Sequence, residues 1–169
     1  MKWIAISGGW RKNNEQTESD VRREVREIIS RGDGIVSGGA LGIDFFATDE
    51  ALKLDTTAAK IKIFLPATLE IFSKHYRKRA DEGVINHDQA EKLINQLETI
   101  KRTNPAAIIE NPVNQIIDTA AYYERIREII KAADELVAFH INKSAGTQYT
   151  IDQAVAKGIP VKLFEYNII

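Results

Sequence analysis

Near the start of the chain two short apolar runs, residues 3–6 and 35–36, each break off into Ser-Gly-Gly. Between them Val21, Val25, Ile28 and Ile29 recur at helical spacing, with Arg, Glu and Asp on most other positions. Strand, helix and strand in that order leave few options. A right-handed crossover makes the two strands parallel and lays the helix on one face of their sheet. Ile43, Phe46, Ala47, Ala51 and Leu54 mark a second one-sided helix, and KIKIFLP at 60–66 a third strand that Pro66 stops. Toward the end, DELVAFH, GTQYTIDQAVAKG and IPVKLFEY read as strand, glycine-led helix and strand, with Gly158 suited to the helix end. The pattern predicts an α/β fold, a doubly wound, mainly parallel sheet of about five strands with helices on both faces.

Residues 67–111 interrupt the alternation. They offer no convincing strand, and Ala90, Leu93, Ile94, Leu97 and Ile100 give a helical pattern, so the segment reads as a helical insertion or extended crossover. Asn111 and Pro112 then read as a cap and first-turn proline, opening one long helix through Val113, Ile116, Ile117 and Ala120 toward Lys131. A length of 169 residues with 44% apolar content suits one packed domain over residues 1–169. The net charge of -1 provides no global field for nucleic acid, so such binding would need a local basic patch. Without cysteine there is no disulfide or thiolate chemistry. No apolar run approaches the roughly 20 residues that span a bilayer, and MKWIAISGGW reads as a first strand rather than a signal peptide. A cytoplasmic location without a membrane partner is the expectation.

Three glycine-bearing loops follow predicted strands: Ser7-Gly8-Gly9, Ser37-Gly38-Gly39 with Gly42, and Ser144-Ala145-Gly146-Thr147. In an open α/β sheet these strand ends form the ligand crevice. Glycine lets backbone approach closely, helix N-terminal N–H groups bind anions, and the hydroxyls add donors, which fits a phosphate. The alternative is that each glycine pair only turns the chain. Neither GxxxxGK[ST] nor a complete GxGxxG after the first strand is present, which argues against a P-loop ATPase and a standard NAD dehydrogenase. Asp44 beside the second loop either holds that loop or touches the ligand.

SGGALGIDFFATDEAL resembles the SGGARGID segment of the DNA-processing protein DprA/Smf family, and KSAGTQYTIDQAVAKGIPV resembles that family's later Ser-Gly segment, helix and strand. The resemblance covers roughly residues 2–55 and 120–166 and implies a Rossmann-like domain of the superfamily (SLOG) that also holds LOG phosphoribohydrolases and molybdenum-cofactor carriers. The family's arginine inside SGGARGID is Leu41 here, and its histidine after GIDxxA is Thr48. The LOG motif PGGxGTxxE meets Thr150 where its glutamate stands, so LOG chemistry is not expected. From related proteins, Tyr122 and Arg125, three apart on one helical face, are candidates to pack on sugar or base and to contact phosphate; the bland alternative is that they cover the domain's edge. Trp10 either lies over a base or caps the sheet, with Arg11 and Lys12 meeting phosphate in the first case.

The candidate ligand-binding set is therefore Ser7, Gly8, Gly9, Trp10, Arg11, Ser37, Gly38, Gly39, Gly42, Asp44, Tyr122, Arg125, Ser144, Gly146 and Thr147. No catalytic residue, metal or cofactor is assigned. The leading expectation is a protein that binds or senses a nucleotide or other phosphorylated small molecule. A nucleotide hydrolase would use Asp44 with His75 or His140. A DprA-like single-stranded DNA binder would use KHYRKR at 74–79 as charge and stacking surface, and self-association into a dimer or higher oligomer fits the resemblance. On this reading a Gly39→Glu change should remove anion binding from a folded protein.

Overall fold

Alternation along the strands explains why the sheet is covered twice. The computed structural model describes all residues, Met1–Ile169. Its strands are β1 (Trp3–Gly8), β2 (Gly34–Ser37), β3 (Ile61–Phe64), β4 (Ile108–Ile109), β5 (Glu135–Ile141) and β6 (Val161–Tyr166). Its helices are α1 (Glu15–Ser30), α2 (Ile43–Leu54), α3 (Leu69–Asp81), α4 (His87–Thr103), α5 (Thr119–Ala132) and α6 (Ala145–Lys157). Ile4 and Ile6 of β1, Ile35 of β2 and Val137, Phe139 and Ile141 of β5 enter a core with the apolar stripes of α1 to α4. The intervening Ala5, Val36, Leu136 and Ala138 point the other way, onto Ile129 and Ile130 of α5 and Ala154 of α6.

All pairings are parallel, in the order β4-β3-β2-β1-β5-β6. The chain winds outward from β1 to β4, then returns to place β5 on the other side of β1. This doubly wound, Rossmann-like sheet puts its topological switch point between β1 and β5. No helix is long and apolar enough to cross a membrane.

Two details differ from the sequence reading. Residues 67–111 contain α3 and α4 but also the edge strand β4, only two residues long, after a 3-10 turn at Pro105–Ala107. The long helix does not start at Asn111. Asn111 Oδ1 accepts from the amides of Val113 and Asn114, the Asn111 and Asn114 side-chain amides donate to Glu124, and Asn114 also donates to the Pro66 carbonyl. Those bonds hold residues 111–118 in turns, and α5 begins only after Asp118, whose side chain accepts from Ala121 N. Val113 and Ile116 are 82% and 74% exposed, so their helical spacing reflects no buried face.

The last strand is pinned by α1. Tyr166 donates to buried Asp20 at 2.7 Å and Lys162 to both oxygens of Glu24 at 2.9 Å. Burial opposes charge on Asp20, yet the bonds from Tyr166, Arg23 and Gln16 keep its pKa below the ordinary 3.8. Such a carboxylate stabilises the fold above pH 3.8 and loses that contribution as pH falls through its lowered value. Tyr166→Phe is expected to cost about 1–2 kcal/mol at neutral pH. Thermal melts of both proteins should show that difference shrinking below pH 3.8.

Candidate functional site

The loops after β1 and β2 and the first turn of α6 meet over the carboxyl ends of the strands. They frame a crevice of about 400 Å³, walled by α3 and α5. That volume lies within the range of small-ligand sites.

Backbone amides divide this crevice into two unlike halves. On the β2 side, Gly38 and Ala40 both donate to Asp44 Oδ2 at 3.2 Å, and Gly39 faces Ser37 Oγ at 3.4 Å. Leu41 N faces the Tyr76 hydroxyl at 3.4 Å, and Ile43 donates to the Gly9 carbonyl. The amides of Gly38 and Ala40, which line this side of the crevice, are thus satisfied from within. On the other side the amides of Gly9, Trp10, Gly146 and Thr147 have no acceptor in the protein. Ser144 makes no cap bond to them; its hydroxyl bonds Thr147 Oγ1 instead. These open donors flank the β1/β5 switch point, at the positive end of α6.

Arg125 reaches across the crevice from α5. Its Nη1 donates to the Gly38 carbonyl at 2.6 Å, its guanidinium lies 5.1 Å from the Tyr122 ring, and its buried Nε has no acceptor. A Cβ on Gly38 would come within 2.6 Å of that guanidinium, so glycine is needed there to admit Arg125. Tyr122 shares a 3.1 Å hydrogen bond with His75 Nε2. Burial, aided by the charge of Arg79, lowers the His75 pKa, so the ring is neutral at pH 7. Trp10, 38% exposed, meets Tyr76 edge-on at 6.4 Å and carries Arg11 over its own ring. Asp44 is pushed up to about 6 by burial, against the pull of Arg125 and of the Ala40 and Gly38 amides.

Of the residues singled out in the sequence, Ser7, Gly8, Gly9, Trp10, Gly38, Asp44, Tyr122, Arg125, Ser144, Gly146 and Thr147 line the crevice. Ser37, Gly39, Gly42 and Arg11 do not. Ser37 is buried beneath its loop, Gly39 faces Ile63 and Leu65, and Gly42 packs on the backbone of Gly9 and Trp10. Asp44 holds the loop, its Oδ2 accepting from two amides, and it also lines the crevice. His140 bonds the Ser144 carbonyl at 3.2 Å and does not line the crevice. Thr150 bonds the Gly146 carbonyl at 2.9 Å, leaving a neutral hydroxyl at the LOG glutamate position.

The KHYRKR segment is dispersed around α3 and does not form one surface. Tyr76 is buried and closes the core against Phe72, so it offers no face for stacking. Lys74 pairs with Glu70 and Arg77 with Glu91 on the outside. Only His75, Tyr76 and Arg79 turn into the crevice. Thr119, Tyr123 and Arg79 join its lining from helices whose sequence carries no glycine signal. If the crevice binds phosphate, Arg79→Glu should weaken single-stranded DNA binding by about tenfold and Lys78→Glu by less than about twofold. Fluorescence anisotropy at fixed salt separates the two.

Comparison with known proteins agrees with this architecture. The profile of the DNA recombination-mediator protein A family matches residues 1–168. The chain belongs to that family. No curated protein sequence matches it. Among solved structures, DNA processing protein A from Helicobacter pylori aligns at TM-score 0.72 and 20% identity, over 96% of this chain and 64% of that one. DprA from Streptococcus pneumoniae aligns at TM-score 0.64 and 16% identity, over 96% and 50%. The molybdenum cofactor carrier protein of Chlamydomonas reinhardtii aligns at TM-score 0.58 and 17% identity, over 96% and 76%. At these identities the likeness is one of fold. The chain spans between half and about two-thirds of the two DNA-processing proteins.

Proposed function

We propose that the chain binds single-stranded DNA, with one phosphate of the strand held at the β1/β5 switch point. The observation that carries this reading is the convergence of four acceptor-free amides, those of Gly9, Trp10, Gly146 and Thr147, within one crevice that Arg125 enters. Such donors cost free energy when left dry and are matched by an anion. Half-exposed Trp10, with Tyr122 and Tyr123 along the wall, supplies aromatic surface beside the phosphate position, as single-strand binders use. Family membership supports DNA as the polymer, as does the single-stranded DNA binding described for the Helicobacter pylori protein.

The direct experiment is anisotropy of a labelled oligothymidylate of about 15 nucleotides at increasing salt. Saturable binding with a log–log salt slope of about -0.7 per phosphate contact supports the reading. No binding at low salt defeats it. A second reading, a free nucleotide as the ligand, is favoured by the crevice volume, which suits one nucleotide unit. Competition by mononucleotide against the labelled strand distinguishes the two.

Base-releasing chemistry does not follow from this geometry. Thr150 is a neutral hydroxyl bonded to backbone, and the single carboxylate of the lining, Asp44, spends Oδ2 on two amides of its own loop, so no pair of carboxylates stands ready as acid and base. Incubation with AMP, GMP or CMP is expected to return the nucleotide intact by chromatography. Turnover lost in Asp44→Asn would reinstate a hydrolase.

A further inference from the structure

Asp44 is the one carboxylate in the crevice lining, and its Oδ2 sits where two backbone amides of the β2 loop meet. The β2 loop has the form of an anion-binding turn: Gly38 and Ala40 aim their amides at one point, with Arg125 alongside. That point is occupied by Asp44 Oδ2 at 3.2 Å from each amide. The α2 helix fixes the carboxylate there, because Asp44 lies in its first turn and its carbonyl accepts from the buried Thr48 hydroxyl. The half of the crevice that could hold another anion already holds the protein's own.

We propose that Asp44 is the specificity residue of the crevice, a built-in counter-ion that limits the ligand to a single phosphodiester and turns away chains of adjacent phosphates. The inference rests on the reading of the crevice as a site for a nucleotide unit and goes further, naming the phosphate class it accepts. Charge balance supports it. The lining carries two guanidiniums, Arg79 and Arg125, against one carboxylate, while His75 is neutral. Arg79 also lies 3.5 Å from Glu82 outside the crevice, which further reduces the positive charge available. At most one excess positive charge remains, the match for one phosphodiester. A terminal phosphate alone carries roughly -1.5 to -2, and a triphosphate more. Its outer phosphates would face Asp44 without free amides to receive them.

Displacement of labelled oligothymidylate by the dinucleoside monophosphate TpT and by dTTP tests this on the full chain. The wild type should favour TpT over dTTP. In Asp44→Asn, the affinity ratio of dTTP to TpT should rise by about tenfold. Asp44→Ser, which keeps a short acceptor for one amide without the charge, should shift the ratio the same way, and circular dichroism establishes that each variant is folded. A wild type that favours dTTP overturns the proposal whatever the variants do, as does an unchanged ratio in a folded variant. Failure of the labelled strand to bind the wild type is a different result, overturning the underlying reading and this inference with it.

Discussion

Gly39→Glu is expected to destroy the fold, not only the site. Gly39 has φ of +66°, a left-handed conformation that costs a side-chain-bearing residue roughly 1–2 kcal/mol. A Cβ there would stand 2.8 Å from Ile63 Cγ2, 3.2 Å from Leu65 Cδ2 and 3.3 Å from Leu97 Cδ2. All three neighbours belong to the larger core. The carboxylate would enter that core without a partner, at a cost of several kcal/mol. The sum is on the order of the whole stability of a domain, about 5–15 kcal/mol. Circular dichroism should show no cooperative melt. A well-folded Gly39→Glu protein would mean that the β2 loop is not built as described.

Gly146→Glu is the substitution that tests the anion site alone. A Cβ at Gly146 meets nothing within 4 Å, and an acid in the first turn of a helix is favourable, so α6 should tolerate it. The new carboxylate would lie beside the open amides of α6 and compete for them with phosphate. The variant should melt within a few degrees of the wild type and bind oligothymidylate at least about 30-fold more weakly. Arg125 and Asp44 are untouched, so an unaltered affinity would place the phosphate elsewhere.

These two glycines show how far the sequence could be read. Strand and helix order follows from periodicity, since Ile4 and Ile6 alternate with Ala5 and α1 repeats its apolar residues at helical spacing. Glycine after a strand locates the loops, but it does not say which way each residue faces. Gly39 looks into the core and Gly146 into the crevice, although both stand in Ser-led loops. The answer depends on tertiary neighbours such as Ile63 and Leu97, far off in sequence. Tyr123 was hidden as a site residue, and His75 and Arg79, named only for the hydrolase and DNA readings, could not be placed beside the glycine loops, because α3 and α5 are brought together only by the sheet's return from β4 to β5. Val113 and Ile116 failed in the opposite sense. Their spacing is helical, but the side-chain bonds of Asn111 and Asn114 hold that segment in turns and leave both residues in solvent.

Titration of isotopically labelled protein with oligothymidylate, followed by amide NMR, tests the central claim most directly. A phosphate at the switch point accepts from Gly9, Trp10, Gly146 and Thr147, whose resonances should move downfield together and saturate on one curve. The amides of Gly38 and Ala40, already bonded to Asp44, should move far less. Shifts concentrated on Gly38 and Ala40, or confined to the outer face of α3 around Lys74 and Lys78, would contradict the account.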